Sequence, residues 1–261
     1  MLTQNTTASA SSPGLLDAFS GSYPELKGTL SEDQIHFWEA DLDRASAELA
    51  FPYLSDDEWS KARRFHFELH RNRFIAGRAL LRLNLSSYLR CKPAEIAFHY
   101  NQWGKPSVPS SGLEFNVAHS ENYFVLAVSR EPVGVDIEKN KPIEDLYLIA
   151  RTVFSANELT AWSLLPEMEQ VASFYKIWTR KEALLKGLGR GVTEFCPAIS
   201  VLFVEGIPVL PASLSGLNWY LHDLQLTPGV AAALATPISN PHIVKSQELP
   251  QVSGYALRSR G

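Results

Sequence analysis

Val133-Gly-Val-Asp-Ile-Glu-Lys139 reads as a short apolar strand that carries two acids two residues apart. Strand side chains alternate between faces, so Asp136 and Glu138 share one face. Neighbouring carboxylates repel each other unless a proton or a cation lies between them. The pair is therefore either two surface acids at a strand end or part of a cation site. About forty residues later comes Trp178-Thr-Arg-Lys-Glu-Ala-Leu-Leu-Lys186. It lies in a predicted helix over residues 174–188, where Phe174, Ile177, Leu184, Leu185 and Leu188 recur at helical spacing. Trp178, Glu182 and Lys186 share a stripe beside that apolar face. Glu182 and Lys186 are then either an i,i+4 surface ion pair or a third carboxylate for the cation with a lysine for a phosphate. Oxygen donors of this kind suit Mg²⁺ with substrate phosphates. No His/Cys spacing points to zinc.

The strand and the helix belong to a pattern that occurs twice. In the first half, residues 34–42 alternate as a strand, with Ile35 and Phe37 set against His36 and Trp38. Ser55-Asp-Asp-Glu58 has the form of a capping box. A long helical pattern follows through Phe74, Ala79, Leu80, Leu81, Leu85 and Leu89, and then strand-like runs at 95–100, 113–118 and 123–129. In the second half, a strand at 133–138 precedes a second capping box, Ser155-Ala-Asn-Glu158. The helix over 174–188 and strands at 199–204, 219–225 and 230–236 complete it. An echo of Ala79-Leu-Leu-Arg82 in Ala183-Leu-Leu-Lys186, 104 residues apart (79 to 183), accompanies the matching order. The expected fold is α+β, a duplication into two similar halves over 29–130 and 131–238 with a site at their seam. Residues 1–28 and 239–261 read as mobile tails.

A chain of 261 residues, 45% hydrophobic, can bury a substantial core. Its net charge of −4 and pI near 6.0 argue against a nucleic-acid binder. Residues 61–90 nevertheless hold eight of the 24 Lys and Arg (Lys61, Arg63, Arg64, Arg71, Arg73, Arg78, Arg82 and Arg90) against one acid, Glu68. That run is either a solvated helix face or a cradle for an anionic ligand or an acidic partner. Two distant cysteines, Cys91 and Cys196, make no disulfide framework, and no apolar run approaches a membrane span. A cytoplasmic protein with no membrane partner is expected.

Two further motifs carry polar chemistry. Gly104-Lys-Pro106 is either a plain turn or a rigid mount for Lys105 over an anion. In Phe115-Asn-Val-Ala-His-Ser120, the residues Asn116, His119 and Ser120 gather at a strand end, where ligands commonly bind.

These motifs, in this order and at these intervals, resemble the surfactin-type (Sfp-type) 4'-phosphopantetheinyl transferases over roughly residues 30–240. The resemblance implies a pseudo-dimer of two α+β halves in one chain, acting as a monomer. It implies Mg²⁺-dependent transfer of phosphopantetheine from coenzyme A to a serine of an apo acyl or peptidyl carrier protein, releasing adenosine 3',5'-bisphosphate. Asp136, Glu138 and Glu182 match the family's metal acids, and Lys186 its phosphate-contacting lysine. Glu182, Lys186 and Asp136 would carry the catalysis. Lys105 and His119 match residues that hold the 3'-phosphate end of coenzyme A, and Arg73 falls where the family places a coenzyme-binding arginine. One departure is Ala118, where the family often has serine before the motif histidine. Two other readings fit the same residues: a non-catalytic coenzyme A and carrier-docking module, and a Mg²⁺-dependent phosphohydrolase.

Overall fold

The structure is a computed structural model that describes residues 30–191, 196–202, 207–211 and 218–245. The predicted N-terminal tail lies outside these residues. The first sheet has four strands: β1 (Gln34–Asp41), β4 (Glu114–Ser120), β5 (Tyr123–Ser129) and β9 (His242–Lys245), in the order β4-β5-β1-β9. The second has three: β6 (Gly134–Lys139), β7 (Tyr220–Asp223) and β8 (Val230–Thr236), in the order β6-β8-β7. A two-stranded hairpin, β2 (His99–Tyr100) with β3 (Pro106–Ser107), stands apart. Two long helices, α2 (Glu68–Leu89) and α5 (Glu167–Leu188), each pack on one sheet.

Burial explains the layering. The first sheet packs on α2 through Trp38, Leu80, Leu81 and Leu126. The second packs on α5 through Leu184, Leu185, Ala233 and Ala235. Between the sheets lies a shared apolar layer of Ile35, Phe37, Val125, Val135, Ile137 and Leu234. Both faces of β1 are therefore buried, and His36 and Trp38, expected opposite the core, lie in it as well. His36 places Nδ1 2.7 Å from the Tyr88 hydroxyl and packs edge-on to Trp38.

Three short helices complete the halves: α1 (Asp56–Ala62), α3 (Leu146–Val153) and α4 (Ala156–Ser163). Both predicted capping boxes open helices, at Ser55 and Ser155. Their third residues, Glu58 and Glu158, do more than cap. Glu58 is buried and binds Arg82 of α2 at 2.6 Å, and Arg82 also donates to the carbonyls of Pro93 and Ile96. Glu158 is fully buried against Lys181 of α5 at 2.6 Å, and Lys181 donates to the carbonyls of Val153, Cys196 and Ile199. The two long helices have equal lengths, with starts 99 residues apart (68 to 167), and the two cations are also 99 apart (82 to 181). This is the structural register of the duplication. The Ala-Leu-Leu echo at 104 sits five residues out of it and does not follow this register.

Other boundaries moved. α5 begins at Glu167, before the apolar spacing becomes visible, because its first turns face solvent and Met168 is exposed. The run predicted as a strand at 95–100 is a 3₁₀ turn, Pro93–Glu95, followed by the two residues of β2. Within the run predicted at 199–204, the described residues form no strand beyond one bridge, Ser200 to Val209; the last two lie outside the described residues. α3 carries no capping signal and was missed. The C-terminal tail expectation is corrected at its start. Residues 242–245 form β9, which pairs in parallel with β1 from the Gln34–His242 pair to the Phe37–Lys245 pair, because β1 otherwise leaves an open ladder edge. Residues 246–261 lie outside the description.

One contact fixes the seam of the second half. A Cβ on Gly134 would lie 1.9 Å from the Ala183 carbonyl oxygen and 2.3 Å from the Gly187 nitrogen, and one on Gly187 would lie 2.6 Å from the Trp219 ring. β6 and α5 touch backbone to backbone there. Gly134→Ala is expected to cost about 3 kcal/mol or more in urea unfolding, since neither main chain can yield without moving the other. His36 gives a pH signature. Burial first, and the nearby His242 second, lower its pKa from 6.5 to about 4. The unfolded chain therefore takes up the proton first, and this stability is full above pH 6.5 and lost as pH falls towards 4. A loss on the order of 3 kcal/mol across that window is expected, and His36→Gln should flatten it in urea titrations at both ends.

Candidate functional site

Alternation along β6 sends Val135 and Ile137 into the layer between the sheets and turns Gly134, Asp136 and Glu138 towards the other face. The missing side chain at Gly134 lets α5 close on that face, which sets Lys186 beside Asp136. Lys186 Nζ donates to Asp136 Oδ1 at 2.6 Å, across 50 positions of sequence, and makes no i,i+4 pair with Glu182. Asp136 is 4% exposed, and its second oxygen, Oδ2, is buried without a hydrogen-bond partner. Glu138 accepts a hydrogen bond from Ser120 Oγ at 2.7 Å. Glu182 is 9% exposed.

The charges of these groups act on one another. Burial raises Asp136 to about 6 against the pull of Lys186, and the charge of Glu138 adds to the rise. Burial raises Glu182 to about 7, helped by the charge of Asp136, opposed by Lys186 and helped again by Glu138. Burial lowers the His119 imidazole, and the positive charge of Lys186 lowers it further, against Glu138. β6 and α5 thus bring Asp136, Glu138, Glu182 and Lys186 together, and β4 adds His119.

The three acids do not close into a complete cage: among the described residues, no group of three or more His, Cys, Asp or Glu is gathered tightly enough to hold a metal. Like charges cannot converge without a cation between them, and Lys186 already compensates one. The donors nonetheless fit a hard divalent ion. They are all oxygens, one of them is buried with nothing to bind, and burial, with the charge of neighbouring acids, pushes two of the carboxyls above their ordinary range. Asp136, Glu138 and Glu182 would hold it, leaving the remaining positions to substrate and water.

Lys186, the partner of Asp136, also lines a cavity of about 270 Å³, whose lining includes none of the three acids. One wall comes from the first half, through Arg78 of α2, Tyr100, Trp103, Lys105 and Asn116, and the other from the second half, through Lys186, Gly189 and Arg190. Four cations line it. Lys105 Nζ donates to the carbonyls of Gly187 at 3.0 Å and Val133 at 3.4 Å, and burial lowers its pKa against the pull of Glu114. The Arg190 guanidinium lies over the Trp103 ring at 4.9 Å. Arg78 lies over Phe98 and is ion-paired with Glu58.

The other sequence candidates divide. Asn116 is buried, and its Oδ1 accepts the Val135 N–H at 2.8 Å, stitching β4 to β6. Ala118 is buried in the layer between the sheets. Arg73 does not line the cavity. It is held by a two-pronged bond to Asp43, 2.7 Å on each prong, near Glu121. The basic run 61–90 is neither wholly solvated nor wholly a cradle: Arg82 is buried on Glu58, Arg73 is bound to Asp43, and Arg78 reaches the cavity. Tyr100, Trp103 and Arg190 were not anticipated. Trp103 immediately precedes the Gly104-Lys-Pro106 motif, and nothing in the sequence marks Arg190.

A family model described as the 4'-phosphopantetheinyl transferase superfamily matches residues 132–220, and one described as 4'-phosphopantetheinyl transferase, N-terminal, matches residues 38–131. The chain is 35% identical over 215 residues to the 4'-phosphopantetheinyl transferase HetI of Nostoc sp., which covers 79% of this chain and 89% of that protein. It is 28% identical over 200 residues to the 4'-phosphopantetheinyl transferase Sfp of Bacillus subtilis, covering 76% and 88%. To the 4'-phosphopantetheinyl transferase psf-1 of Bacillus pumilus it is 34% identical over 153 residues, covering 58% and 64%.

Lys105→Met should weaken the binding of inorganic pyrophosphate, followed by titration calorimetry, about tenfold, because it removes a half-buried cation from the cavity wall. Equal affinity in the variant would place the anion elsewhere.

Proposed function

This chain belongs to the 4'-phosphopantetheinyl transferase superfamily and transfers phosphopantetheine to carrier proteins; from that premise we propose that coenzyme A is the donor and a serine of an apo acyl or peptidyl carrier protein the acceptor. The observation that carries the reading is the position of Asp136. It is buried, bonded through one oxygen to Lys186, which lines the cationic cavity, and unpartnered through the other. A group of anionic oxygens is the natural ligand of such a place, and the diphosphate of coenzyme A supplies one.

In the proposed reaction the serine Oγ attacks the β-phosphorus of coenzyme A. A new P–O bond forms to the carrier, and the bond to adenosine 3',5'-bisphosphate breaks, so the bisphosphate leaves with the bonding pair. Lys186 and Lys105 face the cavity and favour the negative charge that gathers on the leaving group. Mg²⁺, when bound by Asp136, Glu138 and Glu182, would neutralise the diphosphate. The serine proton goes to Glu182. Asp136 is engaged by Lys186 and Glu138 by Ser120, and Glu182 carries neither of those bonds. His119, close enough to Lys186 and Glu138 to feel both charges, is assigned with Lys105 to the phosphate end of the nucleotide. Arg73, bound to Asp43 away from the cavity wall, is left out of the donor site. The two halves furnish both walls of the cavity within one chain, so a monomer is the proposed working unit.

Incubating the protein with coenzyme A, Mg²⁺ and several apo carrier proteins should raise the intact mass of at least one carrier by one phosphopantetheine. Release of free phosphopantetheine without a modified carrier would instead establish a hydrolase. Glu182→Gln is expected to lower the transfer rate about 100-fold or more while coenzyme A affinity stays within about threefold. Full turnover in that variant would remove Glu182 from the proton transfer.

A further inference from the structure

The β2–β3 hairpin belongs to the first half of the chain, yet its tip rests on the end of α5 in the second. Asn101 stands at that junction. Its Oδ1 accepts the backbone N–H groups of Trp103 and Lys105, both at 3.0 Å, and its Nδ2 donates to the Gly189 carbonyl at 2.9 Å, 88 positions away. Backbone bonds from Asn101 N–H to the Lys105 carbonyl and from Gly104 N–H to the Asn101 carbonyl close the turn. Gly189 ends α5 in the left-handed region, φ +65°, where the last helical carbonyls lack intrahelical donors. A Cβ at Gly189 would stand 3.0 Å from Asn101 Nδ2, so glycine also leaves room for this contact.

We propose that Asn101 is a positioning residue for the transfer reaction, a polar latch across the seam that sets Lys105 and Lys186 against each other on the cavity wall. The inference rests on the reading that this cavity receives the anionic end of the donor. Lys105 leaves the same turn whose shape the Asn101 side chain fixes, and its ammonium group is tied to Gly187 and Val133. Lys186 lies one residue before Gly187 and three before Gly189. The spacing of the two ammonium groups therefore depends on how the hairpin tip sits on the helix end. Asn101 is exposed, so it does not act by filling the core.

The side chain's chemistry separates its two tasks. Asn101→Asp keeps acceptors for Trp103 and Lys105 but sets a carboxylate oxygen against the Gly189 carbonyl in place of the donor. Coenzyme A binding by calorimetry and the KM for coenzyme A are expected to weaken about three- to tenfold, while the KM for the carrier and the urea midpoint stay near wild type. Gln102→Asp adds the same charge one residue away and should leave coenzyme A affinity near wild type. In a Lys105→Met background, Asn101→Asp should cost less than half of what it costs alone, because the group it positions is gone. The proposal is overturned if Asn101→Asp binds coenzyme A as the wild type does, if Gln102→Asp weakens it equally, if the two costs simply add, or if both substrates and the urea midpoint suffer together. Should the wild type bind coenzyme A and modify no carrier, the transferase reading fails, and the ratio of affinities still judges the latch.

Discussion

Backbone contact between β6 and α5 is the constraint from which the site follows. Two glycines, Gly134 and Gly187, remove the side chains that would hold the strand and the helix a normal distance apart. Asp136, the next residue on the same face of the strand, is carried against the helix and loses its water. Lys186, the residue before Gly187, is the group that meets it. A charge placed so deeply is costly unless it is compensated, and here one lysine compensates only one of its two oxygens. The chemistry of the site is the remainder of that electrostatic imbalance, which a cation and a polyanionic substrate can satisfy together.

The duplicated halves share an anchor but not a purpose. In each, the third residue of a capped short helix is a buried glutamate, and it meets a cation on the long helix that also satisfies the carbonyls of a 3₁₀ turn further along the chain. The first half uses an arginine, whose fork also reaches Ser55. The second uses a lysine with three carbonyls about it. Removing either partner would strand a charge in a dry place. Only the second half carries the acids and Lys186, and the first contributes walls and stitches: Asn116 to Val135, Ser120 to Glu138, Lys105 to Gly187. One copy of the unit holds the reacting groups, and the other shapes the space in front of them.

Much of this was legible because it rests on local periodicity. The alternation in β6 put both acids on one face, the four-residue stripe put Glu182 and Lys186 on the same side of α5, and both capping boxes marked true helix starts. The strands at 123–129 and 230–236 match their predicted bounds residue for residue. What stayed hidden depends on partners distant in the chain. Nothing local says that Lys186 prefers Asp136 to the glutamate one turn away, or that Arg73 turns to Asp43. β9 was hidden because four residues with little alternation form a strand only when an open edge awaits them, and His36 because polarity suggested solvent where the fold supplies Tyr88. The echo at 104 residues misled for the opposite reason: common helix formers also repeat outside the register that the two long helices share.

β9 makes the two halves interdependent in time as well as in space. The first sheet takes its outer strand from His242–Lys245, more than a hundred residues after the rest of that sheet has been made. During synthesis, β1 must wait with one flank of its ladder uncovered until the second half has emerged, folded and swung its last strand across. The first half cut from the chain would therefore be born with an adhesive border. Splitting the protein at the seam should produce a fragment prone to clumping, not a free-standing module.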